Sequence, residues 1–155
     1  MATRSAIAMR TVTGQITAVY CHWDGYPAHN GEILNTHYTD PNKIVELISL
    51  GGLSSLRPEI GEKHPFSKFE LAEGETYNEA EFEDQCTFYH RDRGEPLDVH
   101  VFTDAKDFVE NFGMGVEYYY LWNGTEWLVN GYGNKGAWDF PVFDRVEDVL
   151  AVETD

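Results

Sequence analysis

The chain is poor in cysteine, poor in cations and free of long apolar runs, and each shortage closes off a class of protein. Two cysteines among 155 residues, Cys21 and Cys86, cannot build a disulfide scaffold, and in a reducing compartment both are expected as thiols. No run approaches the ~20 apolar residues that span a bilayer. The first ten residues, Met1 to Arg10, lack the apolar core of a secretory leader, so the expected location is the cytoplasm. Eleven Lys and Arg stand against 27 Asp and Glu, a net charge of −16. The imbalance is local. Residues 1–69 hold six cations and six carboxylates, whereas residues 70–155 hold five and twenty-one. Such a surface repels phosphate backbones, which argues against direct nucleic-acid binding, and attracts a basic protein surface, including one that normally holds DNA. Acidity of this kind also serves solubility alone.

Signature motifs are missing as well. There is no Gly-rich phosphate loop, dinucleotide fingerprint or nucleophile elbow, and Gly113-Met114-Gly115 follows a helical stretch, where it reads as a stop. No cofactor is expected. Cys21, His22, Asp24, Cys86 and His90 are ligand types that suit zinc, but no Cys-x-x-Cys or His-x-x-x-His pair anchors them, and neighbours in a strand point to opposite faces. No metal site is expected. A Cys21 nucleophile lacks the helix start that would lower its pKa.

What is present is an α+β pattern in one domain covering residues 1–155: a mainly antiparallel sheet built from two hairpins, with helices packed on it. Ala6–Val12 and Gln15–Cys21 read as strands around a Thr13-Gly14 turn. That turn would put Ile7, Met9, Ile16, Ala18 and Tyr20 on one face and Ala6, Ala8, Val19, Cys21 and Trp23 on the other. Both faces are apolar, as in a sheet covered on two sides. Pro27 opens a helical stretch carrying Ile33, Leu34 and Tyr38. Asp40 and Pro41 start a clearer helix with an Ile44, Val45, Leu47, Ile48 stripe, ended by Gly51-Gly52. Residues 57–85 read as a long, irregular, acidic loop with a short helix near Asn78–Phe82; loops of that length are often functional. Gln85–Tyr89 reads as a strand. Thr103 caps a helix through Phe112. Val116–Trp122 and Thr125–Tyr132 form a hairpin on Asn123-Gly124, pairing Tyr118 with Val129 and Tyr120 with Trp127 and leaving Tyr119 and Leu128 on an exposed face. Asp144–Ala151 reads as a terminal helix.

Two stretches carry binding chemistry. Tyr20-Cys21-His22-Trp23-Asp24-Gly25-Tyr26-Pro27 packs aromatic and titratable groups where a strand enters a loop. His90-Arg91-Asp92-Arg93-Gly94-Glu95 mixes charges after a strand. Its His-Arg-Asp triplet lacks every other kinase element. Arg91 and Arg93 read equally as an anion grip or as local ion pairs. The candidate ligand-binding residues are therefore His22, Trp23, Asp24, Tyr26, Tyr89, His90, Arg91 and Arg93, expected to frame one concave site. Glu79, Glu81, Glu83 and Asp84 are the candidate partner-binding residues.

Three blocks resemble a family of small accessory proteins of tailed bacteriophages: Thr3-Arg4-Ser5, the Tyr20–Pro27 stretch with His37-Tyr38, and Ile60-Gly61-Glu62-Lys63-His64 with Tyr89–Glu95. The likeness spans roughly residues 3–95. It implies an accessory protein made in the host cytoplasm and brings no activity, fold or catalytic residue with it. The leading expectation is a non-enzymatic protein that binds and modulates a host protein with a basic surface, with imitation of DNA as a sub-case. The alternatives are a small-ligand or nucleotide sponge, in which Trp23, Tyr26 and Tyr89 stack a base and Arg91 and Arg93 hold phosphate, or a hydrolase using His22 and Asp24.

Overall fold

The computed structural model describes residues 2–67, 69, 71, 73–76 and 79–153, and the side chains of Glu79, Glu81 and Glu153 lie outside that description. In chain order the elements are β1 (Ser5–Arg10), β2 (Ile16–Cys21), a π-helical turn (Pro27–Gly31), α1 (Glu32–His37), α2 (Pro41–Ser49), β3 (Leu53–Ser55), α3 (Glu79–Phe82), β4 (Thr87–Phe88), α4 (Tyr89–Arg93), β5 (His100–Phe102), α5 (Ala105–Asn111), β6 (Tyr118–Trp122), β7 (Trp127–Gly131), β8 (Asp144–Arg145) and α6 (Val146–Glu153). The fold is α+β. The strands join in one sheet of order β4-β3-β2-β1-β6-β7-β8, with β5 also paired to β2. The two expected hairpins, β1–β2 and β6–β7, are antiparallel, and a parallel β1–β6 pairing joins them.

The sheet is covered on both sides. Ile7, Val19 and Cys21 face α1, α2 and α6 in the larger core, with Leu34, Ile44, Leu47 and Val146. Ala6, Ala8, Ile16 and Ala18 face α5, through Phe108 and Val109. These sets differ from those expected of a Thr13-Gly14 turn. Thr11 N–H donates to Gln15 O at 2.8 Å and Gly14 N–H to Thr11 O at 2.9 Å, enclosing the three-residue loop Val12-Thr13-Gly14. Gly14 supplies the positive φ of 88° that such a loop needs. One extra loop residue moves the register by one and puts Ile7 opposite Val19, not on the Ile16 face.

The second hairpin shifts by two. Asn123 Oδ1 accepts from the N–H groups of Thr125 and Glu126, both at 2.9 Å, so Asn123 closes a four-residue loop and does not sit in a two-residue turn. Trp122 pairs with Trp127, Tyr120 with Val129 and Tyr118 with Gly131. A shift of two leaves each side chain on its face. Tyr119 is buried against Phe108, not exposed, because α5 covers its side of the sheet.

Asp40 caps α2 as expected, its carboxylate accepting from Asn42 N–H at 3.0 Å. At α5 the cap is Asp104, not Thr103; Asp104 Oδ1 accepts from Asp107 N–H at 2.8 Å, while Thr103 donates to the Asp107 carboxylate. The strand expected over Gln85–Tyr89 is only Thr87–Phe88, and the charged block after it is the helix α4, closed by Gly94 at φ 81°.

Half of the Tyr20–Pro27 block builds the fold. Gly25 N–H donates to Thr3 O at 2.8 Å, and Gly25 O accepts from the Tyr120 hydroxyl at 2.6 Å. Buried Asn30 directs its amide to Ser5 Oγ, Cys21 Sγ and Trp23 O at 3.3–3.4 Å. A Cβ at Gly25 would stand 2.7 Å from Ser5 Cβ and 2.8 Å from Thr3 O, so the block closes only around glycine. Gly25→Ala is expected to lower unfolding free energy by about 1–3 kcal/mol in urea titrations, the usual cost of overpacking; an unchanged midpoint would show that strand β1 yields freely there.

Candidate functional site

One edge of β2 is taken by β1 along its whole length. The other edge is divided. Cys21 pairs with Leu53 of β3, and Ile16–Ala18 pair with β5. Between the two partners, beside Tyr20, no strand closes the edge, and a cleft of about 370 Å³ opens there. Tyr20 lines it from β2 and Gly52 from the residue before β3. Tyr89 and His90 enter from the start of α4, and Glu95, Leu97 and Asp98 from the segment leading into β5. Met114, in the turn after α5, completes the lining.

The cleft presents two phenols, an imidazole and two carboxylates. Burial raises the pKa of the Tyr20 and Tyr89 hydroxyls, so both stay protonated at neutral pH. Burial, aided by the nearby Arg4 charge, lowers the pKa of His22. The Tyr20 hydroxyl therefore donates to a neutral His22 ring, at 2.7 Å to Nδ1. His90 Nδ1 donates to Glu95 O at 2.7 Å, so Nε2 is the ring nitrogen left free of that bond. Asp98 Oδ1 lies 3.0 Å from His100 Nε2 but is too poorly aligned to hydrogen-bond it.

The two sequence blocks thus meet, though not through all the expected residues. Tyr89 and His90 join Tyr20, and His22 is tied to them through the Tyr20 hydroxyl. Trp23, Asp24 and Tyr26 sit on the loop beyond, outside the cleft. Trp23 and Tyr26 are exposed, the Trp23 ring edge-on to His22 at 4.7 Å, and Asp24 Oδ2 lies 4.0 Å from His29 Nε2. His22 and Asp24 are not paired, so the residues proposed for hydrolysis are not brought together.

Arg91 lies on the other side of α4, against Lys63 and Phe66. Each of its five N–H donors has an acceptor inside the protein. Nε meets Asp92 Oδ1 at 3.0 Å, Nη1 meets Ile60 O and Gly61 O at 3.0 and 3.1 Å, and Nη2 meets Cys86 O and Asp92 Oδ2 at 2.9 and 3.1 Å. Nothing remains for an external anion. Asp92, fully buried in its side chain, also accepts from His64 N–H at 3.1 Å and Phe88 N–H at 2.8 Å. Arg93 stacks on Phe66, 3.8 Å from the ring centroid, and pairs with Glu95 at 3.2 Å. Of the two readings of this block, the geometry takes the structural one: the Arg91–Asp92 pair staples residues 60–64 to α4.

Both thiols are free and buried. Burial pushes Cys21 up to about 12 and raises Cys86 as well. Among the described residues no three His, Cys, Asp or Glu side chains are grouped to hold a metal ion, and no helix is long and apolar enough to cross a membrane. Of the candidate partner residues, Glu83 and Asp84 are exposed beside α3, near the β4 end of the sheet; Glu79 and Glu81 belong to the side chains outside the description. Other second-half carboxylates lie on α5, over one face, and on α6, over the opposite face at the far end of the sheet.

A feature not anticipated from sequence lies after β7. Asn130, fully buried, donates from its amide to Asn134 O at 2.9 Å and Val142 O at 2.8 Å. Between these anchors the chain folds back on itself, Val142 N–H to Asn134 O at 2.9 Å and Gly136 N–H to Phe140 O at 2.8 Å. The tip is Trp138-Asp139, both at positive φ, 61° and 59°. That is the conformation of a type I′ turn, which favours Asn-Gly and strains a bulky side chain. Trp138 is 89 % exposed; Phe140, two residues on, is exposed as well, and so is Tyr132, whose ring packs on Tyr118. A positive φ at tryptophan leaves no pattern that periodicity could detect.

No protein family, no curated protein and no solved structure matches the chain.

Arg91→Ala is expected to destabilise the protein by about 3–5 kcal/mol, because it leaves the Asp92 carboxylate buried without its partner. Asp92→Ala should cost a similar amount, and the double variant less than the sum. Denaturant unfolding of the three variants checks this; single-variant losses below about 0.5 kcal/mol would return Arg91 to the status of a solvent-facing residue.

Proposed function

We propose that the protein is a non-enzymatic phage accessory protein that binds a host protein through the Trp138 hairpin tip, with its acidic second half steering a basic partner toward it. The observation that carries this reading is Trp138 itself. A tryptophan at positive φ costs about 1–2 kcal/mol relative to an ordinary backbone conformation. At 89 % exposure its side chain regains almost nothing by packing within the chain. Strain of this kind persists where the surrounding structure enforces it, and it concentrates at binding elements. Here the base of the hairpin is tied to Asn130, and the tip is closed by Gly136 N–H to Phe140 O and Phe140 N–H to Ala137 O. Exposed tryptophan anchors dominate binding energy at interfaces, and Phe140, exposed two residues on, adds apolar surface next to the tip.

The charge supplies the partner's chemistry. A net −16 disfavours an anionic membrane surface, a nucleic acid or a second copy of the chain, and speeds encounter with a basic protein. The spread of carboxylates over Glu83 and Asp84, α5 and α6 supports general steering and gives no support to an ordered imitation of DNA. The separation of His22 from Asp24 and the neutral, buried thiols favour binding over hydrolysis. Engagement in the host cytoplasm follows from the phage resemblance.

Trp138→Asn is the variant that separates binding from folding, since Asn suits this turn. Its stability should be unchanged or higher by about 0.5–1 kcal/mol, while recovery of a basic host protein from lysate falls well below that of the parent chain. A loss of more than about 1 kcal/mol would make Trp138 a structural residue instead.

A further inference from the structure

We infer that the cleft between β3 and β5 is a receptor for an organic cation, a guanidinium or ammonium group carried on an apolar stem. The cleft is separate from the Trp138 tip, and this inference does not depend on the partner reading.

The first ground is the shape of the cleft and what keeps it open. Gly52 stands between the two tyrosines. A Cβ there would lie 3.6 Å from Tyr89 Cδ2 and 4.0 Å from Tyr20 Cβ, ordinary contact distances, and the residue has an ordinary backbone conformation. Neither the chain path nor close packing therefore demands glycine at this position. What its missing side chain leaves is space beside two phenol rings. Gly51 next to it is different, since its positive φ of 83° and the approach of Leu97 within 2.9 Å of a Cβ do demand glycine.

The second ground is the chemistry of the lining. Tyr20, Tyr89 and the Met114 thioether give a polarisable wall, and phenol rings attract cations through their electron-rich faces. Glu95 and Asp98 bring carboxylates to the lining, Glu95 pairing with Arg93 at 3.2 Å and Asp98 Oδ1 lying 3.0 Å from His100 Nε2. His90 Nε2 is an acceptor when the ring is neutral, because Nδ1 is committed to Glu95 O. The cations nearest the cleft are Arg4, Arg91 and Arg93. The guanidinium of Arg91 is saturated and faces away, and Arg93 is held by Glu95 and Phe66. Arg4 Nη1, near the mouth, donates to Met114 O at 3.4 Å. A nucleotide, with its phosphates, fits this lining less well than a cation does.

Two sources carry such a group, a free amine metabolite and an arginine or lysine side chain on a protein. Agmatine represents the first and a capped Gly-Arg-Gly peptide the second. Each is titrated into the isotopically labelled full chain, with amide shifts followed by NMR and acetate as the anionic control. Saturable shifts are expected at Gly52, Tyr89, Leu97 and Met114, with none from acetate. Gly52→Leu, which fills the space, and the Glu95→Gln/Asp98→Asn double variant, which keeps the shape, should each weaken binding by about tenfold. Agmatine binding with the peptide excluded would identify a free amine as the source. Equal or tighter peptide binding would identify a protein side chain. Absence of saturable shifts from both probes, or binding that neither variant weakens, overturns the inference.

Discussion

One strand edge with two partners governs much of this molecule. β2 gives one side to β1, and on the other it is shared by β3, which continues its direction, and β5, which runs against it. Two strands approaching from different parts of the chain cannot both end beside Tyr20 without leaving a gap. The gap is the cleft, floored by the β2 edge at Tyr20 and walled by the segments that lead into and out of its partners. The connections follow from the same constraint. Gly51-Gly52 turns the chain from α2 into β3, and Tyr89 N–H donates to Gly52 O at 3.1 Å, which delivers α4 to the rim.

Where the chain is irregular, buried polar groups replace the sheet as organiser. Asp92 collects two backbone N–H groups and the Arg91 guanidinium, while the Tyr38 hydroxyl donates to Arg57 O at 2.7 Å and meets Cys86 Sγ at 3.3 Å. His64, almost fully buried, stacks on Phe82 and brings Nε2 within 3.0 Å of Cys86 O. Residues 57–66 are thereby fastened without forming regular structure. Asn130 does for the hairpin after β7 what Asp92 does for this segment. In each case a buried polar side chain bonds to backbone groups of an irregular segment, and removal of it would leave those groups orphaned at once.

The α+β class, both long hairpins, the α2 cap at Asp40 and the coverage of both sheet faces were legible from periodicity and turn residues. The registers were not, because loop length decides them: Val12-Thr13-Gly14 is one residue longer than the shortest reading, and Asn123 closes its loop with its side chain. β3 and β5 are three residues each, too short for a period to show. At the site, Tyr20 meets Tyr89 and His90, but His22, Trp23, Asp24 and Tyr26 do not line the cleft, and the densest charge, Arg91-Asp92, proved to be internal. Charge density along a sequence does not separate a saturated guanidinium from one facing solvent. Nor does composition announce a tryptophan on a strained turn, which is visible only once φ is known.

The central claim is that the Trp138 tip is where a basic partner is engaged. Site-specific photocrosslinking in host cells tests it most directly, with the photoreactive side chain placed at position 138 and, as control, at Val12, which is also fully exposed but belongs to the β1–β2 hairpin. The account predicts a dominant adduct with one basic protein from position 138 and none from position 12. The same adduct from both positions, or none from 138, would contradict it.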